Sequence, residues 1–206
     1  MKNIVSILMM LCACAFTAHA QGNTSQTTDM KNSKKVLVVF FSRTGENYAV
    51  GNIEKGNTHI IAEMIAKESG GKLFRIETVK PYPDEYKACV EIAKTEKENN
   101  ARPEVKGDVK VEDYDVIFLG YPNWWGDMPM AVYTFIEKHN WNGKTVVPFC
   151  THEGSGLSGT ERKLKDACKG ATVSEGLAIK GTIAQNSQAQ ARQSVKKWLE
   201  SILQGK

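Results

Sequence analysis

The chain has 206 residues, of which 41 % are hydrophobic and 24 % charged, with a formal net charge of +4. That length and apolar content suit one α/β domain with a full hydrophobic core. The charges are interspersed rather than gathered into a basic stripe, which argues against a nucleic-acid partner.

In chain order, Lys2 precedes an apolar run from Ile4 to Phe16, and the stretch closes with Ala18-His19-Ala20 before Gln21. This reads as a cleavable secretory signal over residues 1–20. The run is shorter than the roughly 20 residues a spanning helix needs, and no later segment is long and apolar enough to cross a membrane. The expectation is an exported protein of the periplasm or cell envelope. A competing reading makes Leu11-Cys12-Ala13-Cys14 a loose lipoprotein signal, with acylation at Cys14. Residues 21–33, rich in Asn, Thr, Ser and Gln, have the composition of a polar tether. The folded domain is expected over 34–206.

Within that domain, apolar β-rich runs at Val36 to Phe41, Leu73 to Ile76, Val116 to Leu119 and Thr145 to Phe149, with a weaker one from Val173 to Ile179, alternate with amphipathic segments. Helical stripes are formed by Ile60, Ile61, Met64 and Ile65, by Tyr86, Cys89, Val90 and Ala93, by Val132, Phe135 and Ile136, and by Ala191, Val195, Trp198, Leu199 and Ile202. Asn57 or Thr58 is positioned to cap the first helix, Gly70-Gly71 to end it, and Asp84 to cap the second. Five strands with intervening helices predict a parallel sheet covered on both faces. Ligands of such sheets bind at the carboxyl ends of the strands, where the strand order reverses.

Three loops therefore carry the chemistry. The first, Phe41-Ser42-Arg43-Thr44-Gly45 with Gly56-Asn57-Thr58 further on, combines hydroxyls, glycine and a helix N-terminus, which suit a phosphate monoester. It lacks the Gly-Lys-Ser/Thr of a nucleotide-hydrolysing P-loop. The second, Gly120 to Pro129, places Trp124 and Trp125 at the end of a buried strand, suited to lie against a large planar ring. The third, Cys150 to Gly159, is small, polar and rich in glycine.

These loops resemble those of the flavodoxins. Ser42, Thr44 and Gly45, then Asn57 and Thr58, match the family's Ser-x-Thr-Gly-Asn-Thr after an insertion from Glu46 to Gly56, and Trp125-Gly126-Asp127 looks like its second-loop motif. The resemblance implies a flavodoxin-like three-layer α/β/α sandwich with a five-stranded parallel sheet in the order 2-1-3-4-5, and FMN as cofactor. It implies that Ser42, Thr44, Gly45, Asn57 and Thr58 hold the FMN phosphate with Arg43 nearby. Pro122, Asn123, Trp124, Trp125 and Gly126 would line the flavin, and Thr151, His152, Glu153 and Gly154 would wrap its pyrimidine end. The Gly126 peptide would lie near the redox-active N5, where glycine lets a peptide turn without steric penalty.

Function follows as an expectation in three forms. The first is an FMN-binding redox protein that moves electrons between a donor and an acceptor in the cell envelope. The second is an FMN-dependent NAD(P)H:quinone-type or other small-acceptor reductase, favoured by the mild basicity and by a third loop without an aromatic residue. The third is a flavin-binding or interaction scaffold without turnover. No GxGxxG fingerprint is present, so NAD(P)H would have to bind over the flavin itself, and no GxSxG elbow supports a hydrolase. His152 reads either as a proton donor or as a solvated loop residue. Cys150 reads as a redox thiol or a buried strand-end cysteine. Cys89, Cys150 and Cys168 show neither CxxC nor zinc-ligand spacing.

Overall fold

A computed structural model describes residues 34–204; the expected signal, polar tether and Cys14 lie outside these residues. The chain runs β1 (Val36–Phe41), β2 (Gly45–Asn47), β3 (Gly51–Ile53), α1 (Asn57–Ser69), β4 (Lys72–Thr78), α2 (Tyr86–Glu98) and β5 (Val105–Lys106). After a single 3-10 turn (Val111–Asp113) come β6 (Val116–Pro122), α3 (Met130–Glu137), β7 (Thr145–His152), α4 (Thr160–Ala167), β8 (Thr172–Val173), β9 (Leu177–Lys180), α5 (Gly181–Asn186) and α6 (Gln188–Gln204).

Hydrogen bonding orders the main sheet as β5-β4-β1-β6-β7, with β8 and β9 both pairing with the outer side of β7. Every pairing is parallel except the short β5 edge, which runs antiparallel to β4. The path β4-β1-β6-β7-β8/β9 is the expected 2-1-3-4-5 order, with two additions the sequence pattern did not show: the β5 edge and a fifth strand broken into two pieces. The break falls at Gly176, where a Cβ would lie 2.9 Å from the Pro148 ring and 3.0 Å from Leu157. Only glycine fits that close approach without a shift of its neighbours.

Alternation along β1 sorts the core into two layers. Leu37, Val39 and Phe41 pack with Ile117, Leu119 and Tyr121 against Ala131, Val132, Phe135 and Ile136 of α3 and Leu164 of α4. Val38 and Phe40 pack with Phe118, Val147 and Phe149 against Ile61 and Ile65 of α1 and Ala191 and Val195 of α6. The result is a three-layer α/β/α sandwich. Between the layers, Gly120 stands opposite Phe149 in the β6–β7 register, and a Cβ there would fall 2.1 Å from the Phe149 ring.

Gly70 ends α1 in the left-handed conformation, φ 70°, as expected. The two expected caps are corrected. Gly56 occupies the N-cap of α1 with no side-chain cap, and Ser42 supplies that role from the end of β1, its Oγ accepting the His59 N–H at 3.1 Å. Glu85, not Asp84, is the N-cap residue of α2, and the first-turn N–H of Tyr86 is taken by the Glu46 carboxylate at 2.9 Å. In both cases a residue distant in sequence satisfies the orphan helix donor. Among the described residues no helix is long and apolar enough to cross a membrane.

Candidate functional site

The three loops leave the carboxyl ends of β1, β6 and β7, three adjacent strands. Chain order reverses between β1 and β6, because β1 connects outward to β4 and the next parallel strand returns on the other side of β1. Ser42 is buried, and among the described residues its hydroxyl accepts from His59 and donates to no partner. With the His59 N–H engaged and Ile60 donating to Gly56, the N–H groups of Asn57 and Thr58 begin the helix without intrahelical partners. Gly56 is required by close approach: a Cβ there would lie 2.2 Å from Ser42 Oγ and 2.4 Å from the Arg43 carbonyl. Arg75 reaches the same corner and donates to the Ser42 carbonyl at 3.1 Å, and its Nε is buried without a hydrogen-bond partner among the described residues. Ser42, Thr44 and Arg75 share a cleft of about 190 Å³.

The inserted segment folds as the β2–β3 hairpin. It is tied to the start of α2 through the Glu46 N–H to the Asp84 carbonyl, 2.8 Å, and through Arg43. The Arg43 guanidinium donates to the carbonyls of Pro83 (2.7 Å), Asp84 (2.6 Å) and Glu46. Its donors therefore staple hairpin to helix.

After β6, Asn123 makes the decisive cross-loop contacts. Its N–H donates to the Thr151 carbonyl at 2.8 Å, and its Nδ2 donates to the Gly156 carbonyl and Ser158 Oγ, each at 2.8 Å. Trp124 stands edge-on to Phe41 (5.4 Å between centroids) and Tyr82 (5.1 Å). First, second and third loops thus meet at the carboxyl end of the sheet, and a sequence model described as flavodoxin matches residues 35–202.

The chain belongs to the flavodoxin family. Among solved structures, a protein from Bacteroides eggerthii ascribed to the flavoproteins is 30 % identical with a TM-score of 0.66, the match covering 82 % of this chain and 98 % of that one. A second, from Bacteroides uniformis and similarly ascribed, is 26 % identical with a TM-score of 0.64, covering 80 % and 99 %. A flavoprotein from Lactobacillus acidophilus, solved with FMN, is 21 % identical with a TM-score of 0.56, covering 72 % and 94 %, and shares the fold. No curated protein matches the chain.

Within this flavodoxin fold the expected site residues fall into two groups. Ser42, Thr44, Gly45, Pro122, Asn123, Trp124, Gly126, His152 and Gly154 lie on the three loops. Several others are spoken for by internal contacts. The Thr58 hydroxyl is buried and shares a 2.7 Å hydrogen bond with Thr151. Glu153 turns to the start of α5, accepting the Thr182 N–H at 2.6 Å. Asn57 Oδ1 accepts from Gln185 at 2.8 Å. The Trp125 indole lies on α2, donating to the Val90 carbonyl at 3.2 Å, and is 49 % exposed. It forms one wall of a second cleft of about 250 Å³ shared with Asn47, Tyr86, Cys89 and Trp124.

His152 accepts the Gly154 N–H on Nδ1 at 2.8 Å, which puts its proton on Nε2 in the neutral form. Burial, with Lys180 adding to it and Glu153 opposing, holds the imidazole below its usual value of 6.5. Cys150 is the buried strand-end thiol, pushed up to about 12 by burial. As a neutral thiol it is a poor nucleophile. Sequence reasoning missed Lys163 and Tyr133, which bind the buried Asp127 carboxylate, the tyrosine at 2.9 Å. It also missed Glu46, Gln185 and Lys97. Asp127, a carboxylate just after a buried strand, was the readable signal that partners had to exist.

Proposed function

We propose that this flavodoxin-family chain binds FMN noncovalently and carries electrons between a donor and an acceptor in the cell envelope. The observation that carries the reading is the convergence of hydroxyls, helix N–H groups without partners among the described residues, and a tryptophan at the switch point of the sheet. Ser42, Thr44 and the N–H groups of Asn57 and Thr58 are a donor set suited to a phosphate dianion, with the α1 dipole adding to it. Gly56 lets Ser42 and the Arg43 carbonyl pack against the start of α1. The Lactobacillus acidophilus flavoprotein that shares the fold is solved with FMN, a ligand whose phosphate monoester suits these donors. When bound, FMN supplies the redox chemistry; the chain binds the phosphate at the first loop, orients the ring with Trp124 and the 122–126 turn, and narrows solvent access with the third loop. Export is supported by Lys2, the Ile4–Phe16 run and Ala18-His19-Ala20.

The test is a fluorescence titration of FMN into the chain beginning at Gln21, beside riboflavin as the phosphate-free control. Saturable quenching by FMN, with riboflavin much weaker, is expected. No quenching by either overturns the reading and leaves an interaction scaffold. The mass of the chain recovered from the envelope decides export: a start at Gln21 supports cleavage there, and a lipid on Cys14 makes the chain an anchored protein.

One observation favours a second reading within the same site, a small-acceptor reductase. Residues 150–159 carry no aromatic side chain to cover the outer flavin face. Steady oxidation of NAD(P)H in the presence of a soluble quinone and FMN-loaded protein is the result that selects it over the carrier.

A further inference from the structure

The turn after β6 holds a conformation that its own sequence disfavours. Trp124 and Asp127 close it with reciprocal N–H···O bonds of 2.9 and 3.0 Å. Both central residues sit at positive φ, 55° at Trp125 and 72° at Gly126, as in a type I′ turn. Gly126 takes this freely, whereas a bulky aromatic residue does not.

What holds Trp125 there comes from α2. Its indole N–H donates to the Val90 carbonyl at 3.2 Å, Lys94 Nζ stands 5.9 Å from the ring centroid, and Lys97 Nζ donates to the Trp125 carbonyl. From the opposite side, the Gly126 N–H donates to Asn123 Oδ1 at 3.0 Å. The central peptide of the turn is therefore gripped at its carbonyl by α2 and at its N–H by Asn123. Rotating that peptide by half a turn would convert type I′ into type II′, whose first central position is glycine's. Trp125 stands at that position. Backbone sterics and both hydrogen bonds select the same orientation.

We propose that Lys97 and Asn123 are positioning residues that lock the Trp125–Gly126 peptide with its carbonyl toward α2, so that bound flavin meets one fixed peptide orientation whatever its redox state. This rests on the FMN reading above. A flavin can select between two orientations only by binding them differently. The lock removes the choice, and releasing it restores the choice. Reduced flavin carries a proton on N5 that a freed carbonyl can accept, so release strengthens binding of the reduced form relative to the oxidised form.

The experiment has one arm without flavin and one with it. In the flavin-free chain, amide hydrogen exchange at Gly126 is measured by NMR in the wild type, in Lys97→Met, and in Lys97→Met combined with Trp125→Gly. Exchange at Gly126 is expected to rise at least tenfold in the double variant and measurably in the single one, with amides of β1 unchanged. Lys97→Arg, which keeps a donor for the carbonyl, is expected to restore the wild-type rate, and Lys94→Met to leave it untouched. In the FMN-loaded chain, the double variant is expected to shift the ratio of reduced to oxidised affinity at least tenfold, about 59 mV in a one-electron potential. Unchanged exchange at Gly126 overturns the lock. Faster exchange with an unmoved potential overturns the positioning role, reducing Lys97 to a surface contact. Failure of the wild type to bind FMN sinks the functional reading, while the exchange arm still decides whether the peptide is locked.

Discussion

On its α4 side, the turn after β6 is braced by buried groups; on its α2 side, the same turn is held by an exposed lysine and a half-exposed indole. The buried side begins at Tyr121, whose hydroxyl lies 2.7 Å from Thr160 Oγ1, while Thr160 donates its own proton to the Leu157 carbonyl at 2.6 Å. A hydroxyl has one proton, so Tyr121 is the donor to Thr160. Burial pushes the Tyr121 phenol well above its ordinary value, keeping that donor in place. Asp127 continues the brace, with Met128 N–H and the Tyr133 hydroxyl on Oδ1 and Lys163 on Oδ2. The α2 side has no comparable burial. Hydrogen bonds shielded from water contribute to stability, whereas exposed ones compete with solvent and chiefly select a conformation.

That contrast can be broken from either side. The largest effect is expected for Asp127→Ala, which leaves Tyr133 and Lys163 without their shared acceptor; urea unfolding should report a loss of about 2–3 kcal/mol. A loss below about 0.5 kcal/mol would mean that the buried brace contributes no more than the exposed one. Tyr121→Phe removes one bond but leaves Thr160 paired to Leu157, so its unfolding midpoint should fall by the equivalent of about 1 kcal/mol.

The third loop gives a pH-dependent version of the same test. His152 binds a proton less readily in the folded chain than in the unfolded one, because of burial and, secondarily, Lys180. Its contribution to stability is therefore present above pH 6.5 and lost as the pH falls below it. His59 and His139, both depressed chiefly by burial, act in the same direction. The urea midpoint should fall between pH 7 and pH 5, and His152→Gln should flatten part of that fall; identical pH profiles would show that the Nδ1 contact with Gly154 is not what titrates. The smallest effect is expected for Lys97→Met, less than about 0.5 kcal/mol in global stability. Paired with faster exchange at Gly126, that small change would separate an exposed clamp that chooses a conformation from a buried brace that stabilises the fold.

Much of this architecture was legible because it is periodic. The apolar runs of β1, β6 and β7 and the stripe of α6 are long, and nothing else fits them in a chain of this size. Gly70 announced the end of α1 by the same local logic. What escaped the pattern was short or sparsely apolar. In α4 the buried residues are Thr160 and Leu164, too few to make a readable stripe. The β2–β3 hairpin is mostly exposed, and β5 has two residues. The site divides in the same way. The residue types that bind phosphate and ring were visible in the three loops, but Arg43, Thr58 and Glu153 were each expected at the cofactor, and each is engaged by a carbonyl, hydroxyl or helix end from elsewhere in the chain.

The sequence by itself determined the layer architecture, the strands that carry the loops and the family, because these depend on hydrophobic periodicity and local turn chemistry that every window of the chain carries within itself. The tertiary structure decided which polar groups remain free to act. A donor or acceptor can be satisfied by any partner that folding brings within about 3 Å, and here those partners lie 40 residues away for Arg43 with Pro83 and 93 for Thr58 with Thr151. Helix capping by Ser42 and Glu46 and the clamp on Trp125 arise in the same manner, from contacts that exist only once the sheet has brought its loops together.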